Sequence, residues 1–541
     1  MVCSDDYIAL GAAGGVYIKK GGSHMIQSIV RKNAYYDSVT LMLISREMKS
    51  MEGVEEVLVG MGTELNLDLV RNLNMFDANL EDVTPNDLFI AAKFNEELVT
   101  MEQLVNSFDE QINRKKEASA GDYRPPTLRS AIDHLGGANL VQISIPGQYA
   151  AEEAEAALKA GLHVMMFSDN VSIKDELRLK QLAVEKGLLM MGPDCGTAII
   201  NGVPLCFANV VSKGRIGLVG ASGTGTQEIT VRIDQLGEGL SQVIGTGGRD
   251  LREEIGGLMM IQGIEALLKD PETDVIVLVS KPPHPTVEKK IVDLVKQANK
   301  PVVIDFIGGD AASIIAAGAT PCVSLEDAAR KAVALLRGEK VEDFDGFDAP
   351  EEEIEKLVSN AFSTLSADQK YLRALYTGGT LADEAIKYLG ENYPIYSNIP
   401  LTPDRALANL GGLEGHICLD LGEDEFTRGR PHPMIDPLTR TEFFKTHVDG
   451  STAVVLVDVV IGYGSHENPA GAVADSVRDA RARLKEEGKN LVVVASVTGT
   501  DKDPQDLRQS IASLEQAGVI VMPSNAQAVR LVDLIMEKMS A

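Results

Sequence analysis

The stretch LMMGPDCGTAIINGVPLCFANVVSKGRIGLVGASGTGTQE, residues 189–228, decides the fold. It holds two Gly-rich turns, Gly192-Pro193-Asp194-Cys195-Gly196-Thr197 and Ala221-Ser222-Gly223-Thr224-Gly225-Thr226. Each follows an apolar, strand-like run, and the second leads into a helix-like one. A strand, a Gly/Ser/Thr turn and a helix start together expose backbone N–H groups at a positive dipole end, where phosphate or carboxylate groups bind. A third such turn, Thr377-Gly378-Gly379-Thr380, lies further on.

Working outward, residues 139–191 read as regular β-α-β, with strands at 141–145, 163–167 and 188–191. Short apolar strands alternating with amphipathic helices mean a parallel, doubly wound sheet, whose ligand crevice lies at the carboxyl ends of the strands. The turns there carry Pro146, then Ser168-Asp169-Asn170, then Asp194-Cys195, and are expected to converge on one rim. A second α/β unit spans 213–338 and a third 369–541. Their order and spacing make them imperfect repeats, with Ser222–Gly225 answering Thr377–Thr380. Docked across a pseudo-two-fold, they would put both turns in one site. Between them, 339–355 carries nine acidic residues in seventeen positions. With 339–368 taken as the linker, this run is expected to be a solvated tether or hinge. Residues 127–212 form the Rossmann-type domain, and 25–116 alternate strand and helix as a small ferredoxin-like α/β sandwich. Residues 1–24 contain Gly21-Gly22-Ser23-His24 before Met25 and read as an extension outside the native fold.

The chain has 541 residues and a net charge of −28, which argues against nucleic acid or anionic membrane partners. No apolar run is long enough to span a membrane. Five cysteines lie far apart without a CxxC, which argues against a zinc site or a disulfide framework, and no metal is expected. Reduced thiols in a cytoplasmic protein fit this usage.

In so acidic a chain the cluster Arg428-Gly429-Arg430-Pro431-His432 stands out. Two arginines one residue apart form a rigid fork for a carboxylate or phosphate, or else a surface turn paired with acidic neighbours. Asp436 is placed to orient the His432 imidazole. Arg249 and Asp250 follow three glycines where a helix begins, and an arginine there can neutralise transferring phosphate oxygens. Lys281, at a strand end, belongs to the same rim. Ser222–Thr226 and Thr377–Thr380 are either anion cradles or tight turns that admit close helix packing. Cys195 is either nucleophilic or, as such cysteines more often are, a small buried filler.

MMFSDNVS, MGPDCGT, GASGTGTQE, IGTGGRDL, YTGGTLADEA and GRPHPMIDP, in that order, resemble the FdrA acyl-CoA synthetase-like family of the succinyl-CoA synthetase superfamily. The resemblance covers nearly all of the chain from Met25 onward. It implies a CoA-binding-type Rossmann domain followed by two flavodoxin-like ligase domains, with CoA as the candidate cofactor and Pro146, Ser168, Asp169, Asn170, Asp194 and Cys195 at its rim. Two departures matter. The superfamily's phosphate-shuttling histidine is absent from Ile307-Gly308-Gly309-Asp310, and no segment has the length of an ATP-grasp domain. His432 would be the substitute nucleophile. The resemblance therefore implies a ligase-like protein acting on acyl phosphates as part of a hetero-oligomer or homodimer. The alternatives are a carbamoyltransferase subunit of allantoin or purine catabolism, using carbamoyl phosphate and an oxamate-like acceptor, and a non-catalytic scaffold.

Overall fold

The computed structural model describes residues 7–10, 16–19, 24–36, 38–117, 125–407, 415–427 and 430–540. The chain divides into two compact units, residues 1–126 with 428–431, and residues 127–427 with 432–541.

In the first unit, strands His24–Arg31 and Val54–Met61 flank Leu88–Asn95 in an antiparallel sheet. This is the split β-α-β arrangement of ferredoxin-like folds. Alternation along the central strand fixes its two faces. Ile90, Ala92 and Phe94 pack against Leu41, Ile44, Leu104 and Phe108, while Phe89 and Ala91 meet Val70 and Leu80. Of residues 1–24, Tyr7–Leu10 pairs antiparallel with Val16–Lys19, and most of the remainder lies outside the described residues.

The second unit holds three sheets. Leu140–Ile143, His163–Met166 and Met190–Met191 form a small parallel one. In the next lobe the strands Lys213–Ala221, Leu240–Gly245, Val275–Ser280, Val302–Phe306 and Thr320–Pro321 lie in the order 2-1-3-4-5. The last lobe repeats that order with Tyr371–Tyr376, His416–Asp420, Thr452–Val460, Val492–Thr498 and Ile520–Met522, and adds Ile395–Ser397 as an edge strand beside His416–Asp420. The 2-1-3-4-5 order is the flavodoxin-like one. Among the described residues, no helix is long and apolar enough to cross a membrane.

One hairpin escaped the sequence reading. Thr197–Ile200 pairs with Val203–Cys206 and extends the first lobe's sheet beside Leu240–Gly245. The signal was present: Asn201 and Gly202 both have positive φ, as a two-residue hairpin turn requires, and apolar runs flank them.

The two lobes share one apolar core, which takes in Ile216, Val277 and Ala332 from the first and Leu372, Ala385 and Val532 from the second. Across it the lobes exchange helix caps. Glu228 accepts from the Asn525 backbone N–H at 3.1 Å, and Glu384 accepts from the Leu325 backbone N–H at 2.8 Å. Each carboxylate lies on the helix that follows one lobe's first Gly-rich turn. Each receives the orphan N–H of a helix start in the other lobe, Leu325–Arg337 or Asn525–Ser540. The side-chain amide of Asn525 also donates to Glu384 at 2.7 Å.

The acidic linker is not the free tether the sequence suggested. Asp343 pairs with Lys331 at 2.5 Å and Asp345 with Arg530 at 2.6 Å. The Asp348 N–H donates to Gln527 Oε1 at 3.0 Å, and its carboxylate accepts from Gln527 Nε2 at 3.1 Å. Glu351–Ser363 is a helix that buries Ile354 and Val358 in the shared core. The charges read as solvated because their basic partners are distant in sequence.

Truncating Glu384 to Ala leaves two buried donors without an acceptor, at about 1–3 kcal/mol each. Glu384→Ala is expected to lower stability by about 2–5 kcal/mol and Glu228→Ala by a similar amount. Urea midpoints check the size, and faster amide exchange at Leu325 and Asn525 respectively checks the place. Losses below about 0.5 kcal/mol in both would mean the exchanged caps do not hold the lobes together.

Candidate functional site

The two Gly-rich turns meet head on. Ser222 caps the helix Gly223–Gln235 by accepting from the Gly225 N–H at 3.1 Å, and its hydroxyl lies 2.6 Å from that of Thr380. Thr380 begins the second lobe's helix Gly379–Leu389. A Cβ on Gly378 would stand 3.0 Å from the Thr224 Cβ, so the approach depends on glycine. The Gly223 and Thr224 N–H groups, on partly exposed residues, precede the first intrahelical bond and have no partner among the described residues.

Charged side chains gather beside this meeting point. A Cβ on Gly379 would lie 2.3 Å from Asp420 Oδ2 and 2.9 Å from Lys281 Nζ, which places both groups over the helix start. Lys281 is 3.6 Å from Asp383 Oδ2 and 3.6 Å from Glu423 Oε1. Burial works against its charge, but Asp383, Asp420, Glu423 and Asp194 raise its pKa above the ordinary lysine value. Asp194 lines an adjoining crevice floored by Gly220, Gly245 and Gly247. Asp194 itself is exposed, and the neighbouring Asp169, Glu423 and Asp424 raise its carboxyl pKa while Lys281 opposes them. Asp420 is pushed up to about 7 by burial, with Glu423 and Asp383 adding to the effect and Lys281 opposing it. Carboxylates that titrate near neutrality beside a cation are suited to exchanging protons with a bound group.

The structure revises much of the expected site. Asp250 is fully buried, receives the Met259 and Met260 N–H groups at a helix start, and pairs with the equally buried Lys180 at 2.8 Å. Lys180 also meets Glu176, which pairs with Arg249 at 2.8 Å. Arg249 and Asp250 thus fasten the Rossmann-type sheet to the first lobe and do not face the crevice as catalytic groups. Thr377 and Gly378 are no phosphate cradle either. Their N–H groups donate to Asp458 at 2.8 and 2.7 Å, and Arg440 pairs with that fully buried carboxylate.

In the turn at Gly192–Thr197, the Asp194 and Cys195 N–H groups donate to Ser168 and Met166. Cys195 is the buried filler, its thiol pushed up to about 12 by loss of hydration. His432 is half-buried, and its Nδ1 accepts from the Met434 N–H at 3.2 Å, so Nε2 carries the proton. Burial holds its pKa down to about 4. A neutral imidazole with its lone pair already engaged is no phosphate acceptor. Asp436 caps Leu438. Arg428 lies outside the described residues, and Arg430 is exposed. Gly225 and Thr226 continue the first helix behind Gly223 and Thr224.

The rim does converge. A Cβ on Gly147, next to Pro146, would stand 2.1 Å from the Asp169 carbonyl oxygen, so that loop packs against Asp169-Asn170. The Ser168 hydroxyl is buried without a hydrogen-bond partner. Sequence reasoning missed Asp383, Asp420 and Glu423. Asp420 could have been found, since it closes a parallel strand at its carboxyl end, where such sheets hold ligands.

Doubly wound lobes with Gly-rich helix starts in one crevice define a CoA-ligase-type protein. The family models agree with this. A CoA-ligase family model matches residues 375–535, a CoA-binding domain model residues 211–308, and a model described as AllF, heavy metal-associated domain, residues 25–126. Uncharacterized protein YahF of Escherichia coli strain K12 is 43% identical over 502 residues, covering 92% of this chain and 96% of its own. The alpha subunit of ADP-forming succinate–CoA ligase from Aquifex aeolicus is 28% identical over 225 residues, 39% of this chain and 72% of that one. A solved structure, the apo form of the dinucleotide forming acetyl-coenzyme A synthetase 1 of Ca. Korarchaeum cryptofilum, matches 74% of this chain and 84% of its own at 16% identity and a TM-score of 0.31. The chain belongs to the FdrA-like family of the succinyl-CoA synthetase superfamily.

Asp420 gives a pH test. Its folded pKa, about 7, lies above the unfolded carboxylate value, so the stability it contributes is fully present below about pH 4 and lost as pH rises through 7. Asp420→Asn, which cannot ionise, should gain about 2–3 kcal/mol relative to the parent between pH 5 and pH 8. Urea unfolding at both pH values measures this, and an equal difference at the two would show that Asp420 is already ionised at pH 5.

Proposed function

We propose that this chain carries the acyl-phosphate site of a CoA-ligase-type enzyme. The observation behind this is the head-on meeting of two helix starts beside Lys281. The free Gly223 and Thr224 N–H groups receive phosphate oxygens, and the helix dipole favours their charge. Lys281 neutralises the leaving phosphate, and Asp420 exchanges a proton with the attacking or leaving group. The loops at Pro146-Gly147 and Ser168–Asn170 fit CoA, with the buried, unpaired Ser168 hydroxyl available to it. When bound, CoA supplies the thiol that takes the acyl group. A small carboxylate is the natural acyl source, and a second protein chain would supply the nucleotide chemistry.

One observation favours a second reading. Ile307–Asp310 has no histidine, Asp310 caps the short helix Ala311–Ala316, and His432 is unfit to carry phosphate. Carbamoyl phosphate already is an acyl phosphate and needs no phosphohistidine. A carbamoyltransferase subunit with an oxamate-like acceptor would use the same cradle by positioning. A scaffold without catalysis would show neither activity.

The deciding experiment supplies the chain, alone and with its partner subunits, with ATP, CoA and succinate, or with carbamoyl phosphate and oxamate. Thioester formation supports the first reading and oxamate-dependent phosphate release the second. Lys281→Met should cut either activity by about 10²–10³-fold. Unchanged turnover in that variant would remove Lys281 from the chemistry, and silence in both assays would leave the scaffold.

A further inference from the structure

We infer that the N-terminal module, residues 25–117, folds without a heavy metal and that the carboxylate of Asp87 closes its first loop instead. The module matches a domain family described as heavy metal-associated, so its donor atoms can be tested against that chemistry. Soft metal ions are held by thiolates, thioethers and imidazoles. Residues 25–126 contain no cysteine and no histidine. Of its seven methionines, Met48, Met61, Met75 and Met101 are buried in the module's two cores; Met42 and Met51 are half-buried and Met25 is exposed, thioethers for which residues 25–126 supply no thiolate or imidazole to complete a soft-metal site. Among the described residues, no three His, Cys, Asp or Glu side chains come together as a metal-holding group.

What stands at the first loop is an internal ion network. Asp87 accepts from the Thr84 N–H at 2.8 Å, the Thr84 hydroxyl at 2.7 Å and the Asn33 N–H at 2.9 Å. The Lys32 ammonium completes the set at 3.1 Å and also donates to the Asp82 carbonyl at 2.8 Å. These backbone and side-chain donors hold the carboxyl far below the ordinary aspartate range. A few residues away, Asp77 accepts from both the N–H and the hydroxyl of Ser28. Both carboxylates therefore face donors, and an arriving cation would have to displace them. The lysine charge, tethered to the end of the first strand, already occupies the loop.

The test uses the full chain and hydrogen–deuterium exchange read on peptides from residues 25–117, with Zn²⁺, Cd²⁺ and Cu⁺ as probes and a chelator as control. Exchange in this segment is expected to be the same with excess metal and with chelator, whatever the cysteines elsewhere bind. Asp87→Ala should speed exchange at Asn33 and Thr84 by about tenfold or more, equally with and without metal. Should that variant fail to fold, Asp87→Asn, which keeps one acceptor oxygen, is expected to fold and to show a smaller increase. Metal-dependent protection within 25–117 would overturn the inference, as would unchanged exchange at Asn33 and Thr84 in both variants.

Discussion

Two helices that point their N-termini at each other impose the constraint on which the second unit is built. Each end carries roughly half a positive charge, and at hydroxyl-contact distance the two ends repel. The contact between Ser222 and Thr380 closes the gap, and it persists because the same two helices are gripped from behind. One turn further along, Glu228 and Glu384 reach into opposite lobes and take the N–H groups of Asn525 and Leu325. The lobes are thus held by a swap of helix caps laid over a common apolar core, and the repulsive end of the arrangement is what remains at the surface.

That remainder accounts for the charges in the crevice. Asp194, Asp383, Asp420 and Glu423 surround one lysine, an odd lining for a place meant to receive an anion. Set against two positive helix ends and Lys281, they act as counter-charges. Burial raises the pKa of Asp420, so under the proposed function an incoming phosphate would meet fewer ionised carboxylates. A site with permanently ionised carboxylates would repel the phosphate, and one with none would leave the helix ends uncompensated.

The layers of the fold were legible because periodicity and turn chemistry are local. The strands around Ile216, Val277 and Val455 announce themselves as short apolar runs, and the repeat of Ser222–Gly225 in Thr377–Thr380 foretold the paired lobes. The site was less legible because hydrogen-bond partners are not local. Thr377-Gly378 and Gly223-Thr224 look alike in sequence, yet Asp458, some eighty residues on, takes the first pair's N–H groups, and among the described residues nothing takes the second's. Arg249-Asp250 had the right neighbours for catalysis, but Lys180 and Glu176, from another sheet's helix, claim both. The run at 339–355 misled for the same reason.

These misreadings share a cause. In a chain of net charge −28, a cation is more valuable as an internal fastener than as a bait for substrate. Lys180, Arg440, Lys331 and Arg530 are all buried and all tied to carboxylates of their own chain. Breaking the buried pairs of Lys180 and Arg440 costs about 3–5 kcal/mol, so those cations are not free to follow a ligand. Lys281 differs in being about one-third exposed and no nearer than 3.6 Å to the acidic groups beside it. A loosely held cation can turn from a carboxylate to a phosphate at little cost. That looseness, more than the mere presence of charge, separates the crevice from the interior networks that resemble it in sequence.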